Sequence, residues 1–317
     1  MPRVCRYLEL VLFADDTNVF AEGKDPDQLV NTVNEGLAEL SKWFCCNRLT
    51  LNLKKTEYIF FGGPRSKVRL PRNVRIGNDD IKRVEGTKFL GVWVDEGLKW
   101  TGYIEKVKAK VSQLLGVIGK TKGALGKEAV RSLYNALVLP HLQYCLMVWG
   151  DFEGGRNVTI GSMLLKLQKR FAGMAAGKHG MYHADPLFAQ NKILKIEDLY
   201  KQQLRVYAWQ FFNNRLPENQ ASMLQRVSEV HHYSTRSAES GLAPTSRDRS
   251  SMSYRVSREW STLPDKLKEL TSLTAFKRQS RQLLIKEYGS FACKSTACRV
   301  CGSGGRGRTV DLHYFAA

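Results

Sequence analysis

The sequence predicts an α+β protein: a small antiparallel sheet with one long helix, followed by a mostly helical chain. Three observations predict it. Short apolar runs separated by polar or glycine-rich turns dominate residues 1–100. One stretch among them, Leu29, Val33, Leu37, Leu40 and Phe44, is apolar at helical spacing. Beyond residue 100 the apolar residues recur mainly at three- and four-residue intervals.

The elements follow in order. Residues 7–12 are apolar apart from Glu9, Ala14-Asp15-Asp16-Thr17 is polar and tight, and Val19-Phe20-Ala21 is apolar again. This is the pattern of a β-hairpin with two carboxylates at its turn. Asp25 is the expected N-cap of the long helix and Pro26 its first residue, where proline's missing N–H costs nothing. Residues 49–53 and 58–61 are expected as short strands around Lys54-Lys55-Thr56, with Gly62-Gly63-Pro64 ending the unit. Residues 74–76 and 88–94 are expected as further strands, with Gly77-Asn78-Asp79-Asp80 as a turn.

Ile104, Val107, Val111, Leu114, Leu115 and Ile118 stripe the next helix, which also carries Lys106, Lys108 and Lys110. Residues 128–146 are expected as a helix bent or broken near Pro140. Further helices are expected over 163–176, 196–212, 255–260 and 272–288, with a Ser- and Arg-rich loop over 231–254. The Gly- and Arg-rich tail after Gly302 is expected to lack structure.

Charge narrows the partners. The chain of 317 residues carries 49 Lys+Arg against 30 Asp+Glu, a formal net charge of +19. Such a chain attracts polyanions, nucleic acid above all; an acidic membrane surface also fits the charge. No apolar run reaches the roughly 18 residues of a membrane span. Glu9 interrupts the short apolar stretch at the start, which is unlike a secretory signal. Cys5, Cys45, Cys46 and Cys145 stand in apolar or helical contexts and read as small buried hydrophobes. Without a disulfide framework the expected setting is intracellular, in nucleus or cytoplasm.

The chemistry centres on Phe13-Ala14-Asp15-Asp16-Thr17. Two adjacent carboxylates repel, and a bound divalent cation resolves the repulsion. Mg²⁺ prefers one or two carboxylates together with phosphate oxygens, and a pair of such ions serves phosphoryl transfer. A solvated Asp-Asp turn is nevertheless the commoner use of these residues.

Between apolar strands, this segment resembles motif C of reverse transcriptases, in the form used by non-LTR (LINE-type) retrotransposons. Trp43-Phe44-Cys45-Cys46-Asn47-Arg48-Leu49, followed by Leu51-Asn52-Leu53-Lys54-Lys55-Thr56, resembles the helix and motif D of those enzymes. Lys88-Phe89-Leu90-Gly91-Val92 resembles the primer-grip hairpin, motif E, and Leu98-Lys99-Trp100 the start of the thumb. The segment from Leu133 to Tyr144, Val148-Trp149-Gly150, Leu167-Gln168-Lys169-Arg170, Pro186-Leu187-Phe188 and Trp260-Ser261-Thr262-Leu263-Pro264 resemble segments that follow the thumb in LINE-type proteins. Each piece is short, and the specificity lies in their common order from about residue 7 to 288.

The resemblance implies an RNA-directed DNA polymerase. Residues 1–100 would be part of a right-hand palm, 101–150 thumb-like helices, 151–290 a helical C-terminal region, and 291–317 a disordered tail. Asp15 and Asp16 would hold Mg²⁺. Lys55 would donate a proton to the leaving pyrophosphate, or is a solvated surface lysine. Phe89, Leu90 and Gly91 would hold the primer end, or Phe89 and Leu90 are core residues. Lys106, Lys108 and Lys110 would grip nucleic acid. The partners implied are an RNA template and a DNA primer.

Two departures temper this. The family's motif A aspartate and its fingers have no counterpart here, and Glu9 does not match motif A. The chain is therefore expected to be inactive alone and to need the remaining N-terminal part of a longer polymerase. A basic nucleic-acid-binding remnant and a non-functional relic are the alternatives. Phe171-Ala172-Gly173-Met174-Ala175-Ala176-Gly177 also stands where the family shows a more basic, branched helix. Cys293, Cys298, Cys301 and His313 include a Cys-x₂-Cys half-site, but their spacing favours free thiols over zinc. His231-His232 reads as a solvated pair.

Overall fold

A computed structural model describes residues 8–62, 73–150, 152, 158–178, 182–230, 240–246, 248–249 and 251–289. The chain divides into two compact units, Met1–Tyr103 and Ile104–Ala317. The first mixes helix with small sheets and the second is mostly helical, an arrangement compatible with the α+β class.

In the first unit, β1 (Glu9–Phe13) and β2 (Asp16–Phe20) pair antiparallel, with Phe13 opposite Asp16. Ala14-Asp15 is thus a two-residue turn, the tightest common hairpin connection. The helix α1 (Pro26–Cys46) starts as its sequence dictates: the Asp25 carboxylate accepts a hydrogen bond from the Asp27 N–H at 2.9 Å. Its periodic face buries Leu37, Leu40 and Phe44 against a core that includes Leu8, Val74, Ile76 and Ile81, and Val30 is buried as well. Gly36 makes this approach possible, since a Cβ there would lie 2.3 Å from Leu8 Cδ1.

Six short strands follow among the described residues of the unit: β3 (Glu57–Tyr58), β4 (Arg75–Ile76), β5 (Asp79–Asp80), β6 (Lys82–Arg83), β7 (Gly86–Phe89) and β8 (Val92–Asp95). They pair β3–β6 in parallel, and β4–β5 and β7–β8 antiparallel. The Asn34 side chain ties β4 to α1, accepting from the Arg75 N–H at 2.8 Å and donating to the Asn73 carbonyl at 3.3 Å.

Several expectations are corrected here. Residues 49–53 form no strand, because the Asn52 carbonyl accepts from the Lys55 and Thr56 N–H groups and from Thr56 Oγ1, closing a turn. The next strand covers only Glu57–Tyr58. The turn expected over residues 77–80 shrinks to Gly77-Asn78, and Asp79 and Asp80 belong to β5, where Asp80 pairs with Arg75 at 2.7 Å. Cys45 and Cys46 are exposed rather than buried, lying off the face that α1 turns to the core.

α2 (Thr101–Thr121) begins in the last residues of the first unit and leads, in the second, through a 3₁₀ turn (Lys122–Ala124) into α3 (Lys127–Leu133). The expected break near Pro140 takes a definite form. A π-helical turn (Tyr134–Val138) precedes α4 (Leu139–Gln143), absorbing the hydrogen bond that the proline nitrogen cannot make. Cys145 then turns the chain at φ +50° into α5 (Leu146–Trp149). After it come α6 (Val158–Ala175), α7 (Ala184–Gln190), α8 (Ile196–Phe212) and α9 (Glu218–Ala221). The pair β9 (Gln225–Arg226) and β10 (Leu242–Ala243) flanks α10 (Val227–Val230). The unit ends with α11 (Met252–Ser261), α12 (Asp265–Lys268) and α13 (Leu273–Gly289).

α8 is the hub, packed by α11, α13 and α5. Trp209, Trp260 and Phe276 are fully enclosed beside it, with Trp209 and Phe276 stacked at 6.0 Å. Several enclosed polar groups are paired across elements. Gln168 on α6 donates to the Tyr134 hydroxyl at 2.9 Å and the Leu194 carbonyl at 3.0 Å, and accepts from the Ile196 N–H at 2.7 Å. Arg205 on α8 meets Glu259 on α11 at 2.6 Å, both nearly water-free. The Tyr288 hydroxyl donates to Asp198 and accepts from the Lys195 N–H at 3.1 Å. The unusual small residues of α6 also have a reason. A Cβ on Gly173 would collide with the Tyr182 hydroxyl, which donates to the Lys169 carbonyl at 3.1 Å. No helix among the described residues is long and apolar enough to cross a membrane.

Candidate nucleic-acid site

The β1–β2 hairpin carries the Asp-Asp pair at its tip. Ala14 occupies the first turn position at φ +51°, a conformation that L-residues with a Cβ adopt reluctantly. Asp15 follows in the turn and Asp16 opens β2, so the two carboxylates are neighbours at the apex, both exposed. Neither forms an ion pair with another described residue. An exposed pair of this kind suits a hydrated cation that keeps waters and phosphate oxygens as its other ligands. Among the described residues no group of three or more His, Cys, Asp or Glu is arranged to hold a metal. Glu9, at the far end of β1, faces Phe20 across the pair and stands away from the tip.

The hairpin also exposes apolar side chains on both faces: Phe13 is 59% exposed and Leu12 48%. It is a two-stranded ribbon with both outer edges unpaired among the described residues.

Phe89-Leu90-Gly91 forms the tip of the β7–β8 hairpin. Phe89 closes β7 opposite Val92, and Leu90 and Gly91 make a two-residue turn with φ of +45° and +87°. Two positive φ values are what the strand twist favours in such a loop. Gly91 adopts its value freely, whereas Leu90 is held there and exposed. Phe89 itself turns inward and meets Phe20 of β2 edge to face, with ring centroids 6.4 Å apart.

That contact places both hairpins around one cavity of about 730 Å³. Its walls include Thr17 and Phe20 of β2, Thr56 and Phe60 from the segment after Lys55, and Phe89 and Val94. Three segments far apart in the chain therefore converge inside the first unit. Asp15, Asp16, Lys55, Leu90 and Gly91 flank the walls without forming them. Lys55 is exposed on the turn that Asn52 closes and makes no ion pair with Asp15 or Asp16.

The three lysines of α2 do not act as one group. Successive helical residues turn by about 100°, so Lys106 and Lys110 share a side and Lys108 faces elsewhere. Lys108 is also engaged with Glu105 at 3.1 Å. Asp95, not singled out by sequence reasoning, shapes the entry to this helix. Its carboxylate accepts from the Gly97, Lys99 and Trp100 N–H groups at 3.1, 3.0 and 2.9 Å. The Asp-x-Gly order is the legible signal for this clasp, because aspartate caps the backbone two residues on. His231-His232 and the Cys293, Cys298, Cys301 and His313 group lie outside the described residues.

No protein-family model matches the chain, and no solved structure does. Two curated proteins are similar. The Retrovirus-related Pol polyprotein from type-1 retrotransposable element R1 2 of Nasonia vitripennis is 26% identical over 155 residues, 46% of this chain and 38% of that protein. The Putative 115 kDa protein in type-1 retrotransposable element R1DM of Drosophila melanogaster is 23% identical over 154 residues, 48% of this chain and 15% of that protein. The matched segments thus span well under half of either relative. These similarities support a non-LTR retrotransposon origin for the chain.

Proposed function

We propose that the chain is a portion of an RNA-directed DNA polymerase of a non-LTR retrotransposon, with its carboxylate hairpin serving Mg²⁺-dependent nucleotidyl transfer. The single observation that carries this reading is the β1–β2 hairpin, which presents Asp15 and Asp16 side by side at an exposed tip. The donor chemistry fits: two hard oxygen ligands with room for phosphate oxygens and water. Asp15 and Asp16 would hold the ion, which when bound polarises a primer hydroxyl and offsets the charge of the leaving pyrophosphate. Phe89, Leu90 and Gly91 would position the primer end from the neighbouring hairpin. Lys55 would serve as proton donor to the leaving group, and Lys106 and Lys110 would contact the nucleic-acid backbone. A third carboxylate would come from another polymerase segment, so the chain alone binds template and primer without extending them.

Primer extension on poly(rA) annealed to oligo(dT), with Mg²⁺, tests this beside Asp15→Ala. The expected result is no extension by either protein and salt-sensitive binding of the duplex by both. Extension lost in Asp15→Ala would show that the chain completes the carboxylate set itself. A second reading, nucleic-acid binding without any catalytic role, is favoured by the lack of a three-ligand metal group among the described residues. Adding the upstream polymerase segment in trans separates the two, since only the first reading then gives extension that depends on Asp15.

A further inference from the structure

The second unit carries an open groove of about 590 Å³ between α12 and α13, lined by none of the residues discussed above as nucleic-acid contacts. Its lining includes three cations, Lys266, Arg278 and Lys286, with Gln279 and Gln282, over Pro264, Leu267 and Leu283. No carboxylate lines it. The three cations are exposed, and none forms an ion pair with a described residue. Positive charge without ion-pair partners, gathered into a concave surface, focuses the field on an anion.

The helix explains the spacing. Phe276, Ser280, Leu284 and Tyr288 recur every four residues and are buried, fixing the inner face of α13. Arg278, Gln282 and Lys286 recur at the same interval, offset by two residues, and so line up on the opposite side. Each four-residue step rises about 6 Å, so Arg278 and Lys286 stand roughly 12 Å apart along the axis. A nucleic-acid strand places a phosphate about every 3.4 Å of duplex axis, so this stripe spans on the order of three or four phosphates. Lys266 adds a second row from α12.

We propose that the α12–α13 groove is a phosphodiester-backbone contact that holds nucleic acid without reading its sequence. No aromatic side chain lines the groove, so it offers no platform for stacking a base. Lys, Arg and Gln are the side chains that contact phosphate and sugar, the part of the polymer that carries no sequence information directly. The proposal rests on the nucleic-acid reading given above and adds a surface to it.

The test is fluorescence anisotropy with the full chain, a labelled 20-base-pair duplex of two unrelated sequences, and a KCl titration. The variant is Lys266→Gln, Arg278→Gln and Lys286→Gln together, all at exposed positions. Its salt slope should fall by about 2 to 3 and its affinity at ~100 mM salt by roughly 10- to 100-fold, equally for both sequences. Lys266→Arg with Lys286→Arg should keep the wild-type slope, separating loss of charge from loss of fold. A wild-type slope in the triple variant overturns the groove while leaving the nucleic-acid reading intact. No binding by the wild type overturns that reading as well. Binding of phosphatidylserine vesicles but not duplex, lost in the triple variant, overturns the proposal in favour of an acidic membrane surface.

Discussion

Tyr134 shows how one side chain can be decisive in this molecule. It is enclosed, stacks on Phe171 with centroids 4.2 Å apart, and receives a hydrogen bond from Gln168. Burial pushes its hydroxyl pKa up to about 12, against the opposing influence of the Gln168 hydrogen bond and the Arg281 charge. Unfolded, the same group titrates near 10. Between those values the unfolded chain has released the proton that the folded chain keeps, so stability is full below pH 10 and falls as pH rises towards 12. Tyr288, raised for the same leading reason and by the Asp198 carboxylate beside it, works in the same direction. Urea unfolding at pH 9 and pH 11.5 should therefore show a loss that Tyr134→Phe makes smaller. An equal loss in both proteins would assign the effect elsewhere.

At the scale of elements, the α8–α11 crossing turns on an ion pair. Arg205 and Glu259 keep 6% and 7% of their side-chain surface exposed and meet at 2.6 Å. The pair's net contribution is small, since desolving both charges offsets most of their attraction, but removing one partner strands the other. Arg205→Met should cost about 3–5 kcal/mol, and adding Glu259→Leu should restore most of it. Thermal melts of the single and double variants check this, and a double variant no more stable than the single would contradict it. The β1–β2 hairpin is the opposite kind of element. It has exposed Phe13 and Phe20 and no third strand among the described residues, so its register relies on its tight turn, on Leu8, Leu10 and Val19 packed at the α1 core, and on the Phe20–Phe89 contact.

For the molecule as a whole, the two units differ in how they are held. The first has one small core around α1 and sheets of two strands each, a type that is marginal without support. The second encloses Trp149, Trp209, Trp260, Phe171, Phe188 and Phe276 and satisfies its buried glutamine completely. A fragment of residues 101–289 should fold by itself with a cooperative thermal transition followed by circular dichroism. A broad, non-cooperative melt would mean that its core depends on the first unit. The formal charge of +19 is a property of the entire chain and sets the expectation of polyanion binding independently of fold.

Features encoded within a few residues were legible in the amino-acid order: the Asp25–Pro26 helix start, the periodic face of α1, a hairpin with adjacent carboxylates near its tip, and the charge; that its turn holds only Ala14 and Asp15 was not. That order also located the break near Pro140, because a missing N–H is a local fact, although not the π turn that absorbs it. Tertiary structure alone decided what depends on residues distant in the chain. It brought Phe20 to Phe89 and the segment after Lys55 to the same cavity. It turned Cys45 and Cys46 outward, and set Lys266 beside a stripe on another helix. Local pattern fixes which face of an element is apolar. Which element covers that face depends on packing across tens of residues, and no short-range spacing records it.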